Sequence, residues 1–591
     1  MRSFNIKLKA FSAMTVLVVL TACSKEWLEP EPLSFFAPEN TFVDKAGFDA
    51  LLLSSRKQLR HEYFGDNSAI CTEYFLSDLA VNGNPEASRP HDLQRQILPT
   101  GTGEARIMSG NGSYWALAWD GIKYANITIS RVDDIEWPTE DEKNSILAEG
   151  YFHRAYWYYR LVHQFGDVPL ILREVTEPKL DFYSSTRESI LKQIRTDMEF
   201  AVKWLPQDIL PGQVNRAAGN HLLTKIYLSL REFDKAIASA SWVVESSGHH
   251  LMKERFGAYA NDPKYNIMWD LHQKENKSTG NSEALLVVQD KFMIEGEHNG
   301  GTQLMRNAIP AWWWTPVRDP SGARGVTDHA TLGQPLLDSL GRGIGRVRTA
   351  NYFNYQIWDD ENDLRHSDVN WWSMDEYYYN NPNSDYYRQP FVREALNDTV
   401  RTWYPFQYNK LYVADEERTG SKDIRGGHSD WYVFRLAGTY LLRAEAYYWK
   451  GDLQNAANDV NEVRRRAGAS EIQSSDIDIE SIFAERAREL YFESPRKTEL
   501  TRVAYIMAQL GKKGYSIENM SENNWFYDMV IKHNIFYRDE VSYGANPYRI
   551  RPYHVYWPIP QSSISANTQG HINQNEGYPG SEFNTPPLES N

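Results

Sequence analysis

Apolar positions recur at helical steps through most of the chain. Leu147, Tyr151, Ala155, Tyr158 and Val162 fall three or four residues apart and so share one helical face. The pattern predicts a long helix, opened by Thr139 and Glu142 at capping-box spacing and stopped by Gly166 and Pro169. Ala148, Gly150 and Ala155 are small enough to let a neighbouring helix come close. Aromatic and apolar residues occupy several of its sides, so other helices are expected around it, and it reads as scaffold rather than site. Further helical patterns cover 42–64, 114–135, 482–492 and 499–510, and another opens at Ser185 and closes before Pro206.

Residues 217–237 align without gaps on 437–457, with Leu222 on Leu442, Tyr227 on Tyr447, Phe233 on Leu453 and Ala236 on Ala456. Each copy reads as helix, short turn, helix, with small residues at the crossing. This is the tetratricopeptide pattern, a unit that must stack because one copy cannot cover its own apolar face. The intervening segment has few sustained helical periodicities. It is rich in Gly, Asn, Asp and Pro and crowded with Trp312, Trp313, Trp314, Tyr352, Tyr355, Trp358, Trp371, Trp372, Tyr377, Tyr378, Tyr379 and Trp403. A second long loop, 77–111, is expected between the first two helices. The boundaries that follow are a leader at 1–22, a helical part with a tether and the first repeats at 23–250, an irregular aromatic-rich insertion at 251–428, and a C-terminal part with the second repeat and a tail at 429–591.

Arg2, Lys7 and Lys9 precede a short apolar run over 10–20, shorter than the ~20 residues that span a bilayer. The run reads as an export signal and ends in Leu20-Thr21-Ala22-Cys23, which looks like a bacterial lipobox. Cleavage before Cys23 and acylation of that cysteine are expected, with residues 29–40 as a tether from the membrane. Cys71 is the other cysteine, so no intrachain disulfide is expected. A net charge of −15 argues against nucleic acid or anionic lipid as the main partner.

Five stretches together resemble one family: the lipobox start, RAYWYYRLVHQFGDVPL (154–170), DWYVFRLAGTYLLRAEAYYWKGDLQNAANDVNEVRRRAGA (430–469), ERARELYFESPRKTELTR (485–502) and YWPIPQSSISANTQGHINQNEGY (556–578). The chain resembles the SusD/RagB family of Bacteroidetes outer-membrane nutrient-binding lipoproteins. The resemblance implies a mostly α-helical fold, a tetratricopeptide-like superhelical scaffold carrying a long irregular ligand-binding insertion. It also implies an outward-facing, lipid-anchored protein on the outer membrane that captures an oligosaccharide or polysaccharide and delivers it to a SusC-like TonB-dependent transporter. Some members serve peptide or glycoprotein uptake instead, and that alternative stays open.

The insertion aromatics are the main candidates for ligand contact. Sugars present a C–H face that packs on an aromatic ring, while their hydroxyls need hydrogen bonds. Trp312, Trp313, Trp314, Trp371, Trp372 and Tyr377 are therefore expected ligand contacts, although neighbouring tryptophans cannot all face one surface. In the 78–96 loop, Asn82 and Arg89 are the expected polar contacts. No cofactor or metal is expected: Asp359, Glu361 and Asp363 have alternate spacing, but Leu364 stands where a calcium loop needs glycine. Glu485, Arg486, Arg488, Glu489 and Arg496 read as a structural salt-bridge network. No catalytic motif appears and no enzyme activity is expected; a surface glycosidase would need two facing carboxylates in one cleft. A repeat scaffold binding only proteins would leave the 312–379 aromatics buried.

Overall fold

The protein is described by a computed structural model over residues 42–66, 68–84, 90–101, 113–312, 317–327, 340–413, 415, 424–544 and 546–589. Cys23, Arg89, Trp313 and Trp314 lie outside the described residues. Six helices follow in order, each packed on the next: α1 (Lys45–Tyr63), α2 (Tyr114–Arg131), α3 (Glu140–Gln164), α4 (Arg187–Trp204), α5 (Arg216–Ser229) and α6 (Phe233–Ser241). The chain then leaves the stack for the segment that carries α7 (Ile267–His272) and α8 (Tyr408–Leu411). It returns with α9 (Leu436–Lys450) against α6, followed by α10 (Leu453–Arg466), α11 (Ile479–Leu490), α12 (Arg496–Gln509) and α13 (Gln561–Ala566). The two repeat copies are thus α5–α6 and α9–α10, and they are neighbours in space. The long insertion bulges from a stack that closes behind it, and the fold is a mostly helical, tetratricopeptide-like one.

The central helix predicted from the sequence is α3. Thr139 accepts a hydrogen bond from the Glu142 N–H at 3.2 Å, and Gly166 sits at φ +67°, the left-handed region that favours glycine. Beyond the turn, the Tyr158 hydroxyl accepts from the Ile171 N–H at 2.6 Å and holds the departing chain against the helix. Close approach of α2 rests on Gly121, where a Cβ would lie 2.0 Å from Trp157 Nε1. Gly150 meets the same helix, with Thr128 Cγ2 3.2 Å from its would-be Cβ.

Buried ion pairs fix how the layers sit. Arg154 on α3 pairs with Asp197 on α4 through two bonds of 2.8 and 2.9 Å. Arg502 on α12 grips Glu445 on α9 through two bonds of 2.6 Å. Removing one member of such a pair strands a buried charge and costs about 3–5 kcal/mol, so these contacts hold one arrangement of helices against others. The expected C-terminal network is present and larger than its sequence spacing suggested. Arg365 from the insertion reaches Glu485 at 2.6 Å and Glu489 at 3.0 Å, while Arg435 reaches Glu283 at 2.5 Å and Glu493 at 2.8 Å. The irregular segment is therefore nailed to the scaffold by charge as well as by apolar packing.

Among the described residues the strands are short and pair two by two, antiparallel. Those used below are β1 (Ala80–Asn82), β2 (Ala284–Val288), β3 (Val347–Thr349), β4 (Trp371–Trp372), β5 (Phe406–Gln407) and β6 (Trp431–Arg435). β1 pairs with β3, β2 with β6 and β4 with β5.

Candidate functional site

The β4–β5 ladder decides which insertion aromatics reach the surface. Trp371 faces Gln407 and Trp372 faces Phe406. Successive strand residues point to opposite faces, so the two tryptophans part company. Trp371 is 4 % exposed and packs against Phe353, Trp358 and His366. Trp372 lies half-buried on the other face, with its ring centroid 5.5 Å from that of Tyr408.

Tyr408 continues a run of near-parallel rings. Trp269 on α7 stacks on Tyr265 at 4.3 Å and 21°. It lies 6.1 Å and 24° from Tyr408, which in turn stacks on Tyr412 at 5.0 Å and 16°. Tyr259 closes one end edge-on to Tyr265 at 5.1 Å and is 38 % exposed; Tyr265, Trp269, Tyr408 and Tyr412 are half-buried. Three separate chain segments therefore assemble one ribbon of partly open rings.

Local chemistry holds the ribbon in place. Asn266 caps α7, its side-chain oxygen accepting from the N–H groups of Met268 and Trp269 at 3.0 and 3.1 Å. The Asn370 carbonyl accepts from Tyr408 N at 2.8 Å, and Asn409 donates to the Met268 carbonyl at 2.9 Å, tying α8 to both neighbours. Trp269 Nε1 and Trp372 Nε1 are buried without a hydrogen-bond partner among the described residues. Burial pushes the Tyr408 phenol up, so it stays protonated. Near Trp372, the carboxylates of Asp375 and Glu376 both accept from the Ser373 hydroxyl, and Glu376 also accepts from the Ser373 N–H at 2.6 Å. They cap one short turn and do not face each other across a cleft. Among the described residues, no group of three or more metal-ligating side chains converges.

Several expected contacts are corrected by burial. Trp312, Tyr377 and Asn82 are 0 % exposed and Trp371 is nearly so. Trp312 is part of the main core, and Tyr377 stacks on Phe391 at 5.7 Å. Asn82 sits in β1 opposite Val347, where its side-chain oxygen accepts from Asn84 N at 2.9 Å. All four are enclosed or nearly so, and the structure does not present them to an outside ligand. Trp372 alone among the described candidates belongs to the ribbon. Tyr259, Tyr265, Trp269, Tyr408 and Tyr412 were missed. No helical period marks them, because Tyr265 precedes the Asn266 cap of α7 and Tyr412 follows the last residue of α8.

Comparison with known proteins agrees with the architecture. The profile described as "SusD family" matches residues 341–578, and one described as "Starch-binding associating with outer membrane" matches 88–228, together more than half of the chain. The chain belongs to the SusD/RagB family. It is similar to SusD-like protein P25 of Formosa agariphila, 23% identical with 95% of this chain and 97% of that protein covered. SusD-like protein P2 of the same organism is 27% identical over 49% of this chain and 54% of that protein. Among solved structures, a laminarin-binding SusD-like protein superposes with a TM-score of 0.62 at 20% identity, covering 91% of this chain and 100% of that one. The surface glycan-binding protein A from Bacteroides uniformis gives 0.61 at 17% identity over 90% and 99%. At these identities the likeness is one of fold.

Proposed function

We propose that this protein captures a glycan at the outer surface of the outer membrane and passes it to a SusC-like TonB-dependent transporter. The observation that carries the reading is the ribbon Tyr265–Trp269–Tyr408–Tyr412 with Trp372 beside it, a run of near-parallel rings partly open to solvent. Rings so placed pack on sugar C–H faces, and Trp269, Trp372 and Tyr408 are the contacts assigned here. The names borne by similar proteins, laminarin-binding and surface glycan-binding, support the same ligand class.

Cys23 anchors the chain by its acyl group in this reading, and residues 29–40 are the tether that carries it clear of the bilayer. Two experiments test the proposal. Affinity electrophoresis of the protein against a panel of polysaccharides should retard it in one glycan class, with retardation abolished by Trp269→Ala; equal mobility in every gel contradicts glycan capture. Co-purification from outer membranes should recover a TonB-dependent barrel with the wild-type chain. Recovery of the chain alone, under conditions that preserve membrane complexes, contradicts the transporter partnership.

A further inference from the structure

A cavity of about 380 Å³ opens on the opposite kind of surface, walled by a stripe of α2 (Trp115, Trp119, Ile122 and Asn126), by the segment 169–182 and by α13 with the residues after it. Its volume is that of a small-molecule site, which runs to roughly 300–1,000 Å³. The wall is mostly apolar, and the side-chain amides of Asn126 and Asn567 and the Trp115 indole are already engaged. Trp115 Nε1 donates to Ser563 Oγ at 3.1 Å. Asn126 donates to the Ile171 carbonyl at 2.8 Å and accepts from Arg154 at 3.2 Å. Asn567 accepts from Phe182 N and donates to Phe182 O, both at 2.8 Å. A sugar here would bury hydroxyls with no partners, at the full cost of desolvation. A hydrocarbon chain would lose nothing.

The mouth has a different chemistry. Val175 and Leu180 line it and are 47 % and 40 % exposed, so apolar surface continues outward. Lys123, Lys179 and Arg173 stand around the same opening. Lys123 lies 3.6 Å from Asp120 and Lys179 is 2.6 Å from Asp181, whereas Arg173 is exposed and makes no ion pair among the described residues. Glu174, the carboxylate at the mouth, is held by Arg131 through bonds of 2.6 and 3.0 Å and does not neutralise Arg173. The net charge of the whole chain is repulsive to anions, but with a Debye length of ~10 Å at 0.1 M salt the nearest charges decide.

We propose that this cavity binds an acyl chain whose anionic head pairs with Arg173. The site is separate from the aromatic ribbon and does not depend on the glycan reading.

The test uses the full chain carrying Cys23→Ser, so that no acyl group of its own competes. Sodium dodecanoate, titrated below its critical micelle concentration and followed by tryptophan fluorescence and calorimetry, should bind saturably at one site. Arg173→Glu, an exposed change that leaves the core intact, should weaken it at least tenfold, and Ile171→Trp should weaken it similarly by filling the cavity. Dodecyltrimethylammonium, the same chain with a cationic head, should bind at least tenfold more weakly. Vesicles of phosphatidylcholine with and without phosphatidylglycerol separate the sources. Saturable, Arg173-dependent binding to dodecanoate assigns a free acid, and the same dependence on anionic vesicles alone assigns a bilayer lipid. No saturable binding to either probe, or binding that neither substitution moves, overturns the proposal. Glycan affinity should be unchanged in both variants, which keeps this result distinct from failure of the ribbon.

Discussion

Trp269 and Tyr408 lie 6.1 Å apart with ring planes 24° from parallel, one supplied by α7 and the other by α8. This pairing joins aromatics of two separate segments into one run of near-parallel rings. It depends on hydrogen bonds that join the two short helices directly, such as Asn409 to the Met268 carbonyl. The scaffold enters through charge, since Lys410 on α8 donates to the Glu489 carbonyl at 2.9 Å and pairs with Glu493 at 2.7 Å.

Trp269→Ala and Tyr408→Ala should each lower affinity for the cognate glycan about tenfold or more, ~1.4 kcal/mol. Trp372→Ala should have a smaller effect in the same direction, because its ring stands at the side of the stack. Glycan titrations of the three variants, each checked by circular dichroism, measure this order.

Trp312→Ala and Trp371→Ala should behave in the opposite way. Both rings are buried, and emptying their sites should cost about 3–5 kcal/mol of stability. The folded fraction should retain its glycan affinity. Thermal melts beside titrations on the same samples separate the two effects.

Gly121→Ala should destabilise without touching the aromatic ribbon. Its methyl would fall 2.0 Å from Trp157 Nε1, so α2 and α3 must separate or the indole must leave its place. Overpacking of this kind costs about 1–3 kcal/mol, read as a lower midpoint in urea.

Stability should fall on acidification, and Glu485 should account for part of the fall. Burial opposes its ionisation, but Arg365, Arg488 and Arg464 together outweigh that and hold the carboxyl at about 2 against an ordinary 4.5. A depressed carboxyl stabilises the fold above its unfolded value, and that contribution, on the order of 3 kcal/mol, is lost as pH drops from 4.5 through about 2. Glu485→Gln should cost about 3–5 kcal/mol at neutral pH, by stranding buried arginines, and should flatten the acid limb. Denaturation midpoints measured between pH 7 and pH 3 report both.

The scaffold was far more legible than the site. Period and caps placed α3 because Thr139, Gly166 and the spaced apolar residues act locally, within a turn or two of one another. The repeat was legible because α5–α6 and α9–α10 obey the same crossing geometry wherever they lie in sequence. Trp312 and Trp269 show where such reading stops. Both are tryptophans in a segment of little sustained periodicity, and nothing within several residues of either reveals that one ring is enclosed and the other half-open. That difference is made by β4–β5 pairing, by Asn266 and Asn370, and by α8 arriving from far along the chain. Trp371 and Trp372 form the intermediate case, where strand alternation requires the rings to part but does not say which one faces out.

The most direct test is isothermal titration calorimetry of the protein beginning after Cys23, against oligosaccharides of varied linkage and a peptide mixture. The Trp269→Ala, Tyr408→Ala double variant is run alongside. A saturable heat is expected with one glycan class, with no continuing heat of turnover, and that heat is lost in the folded double variant. Saturable heat with peptides alone, or glycan binding unchanged in the double variant, contradicts glycan capture on the ribbon.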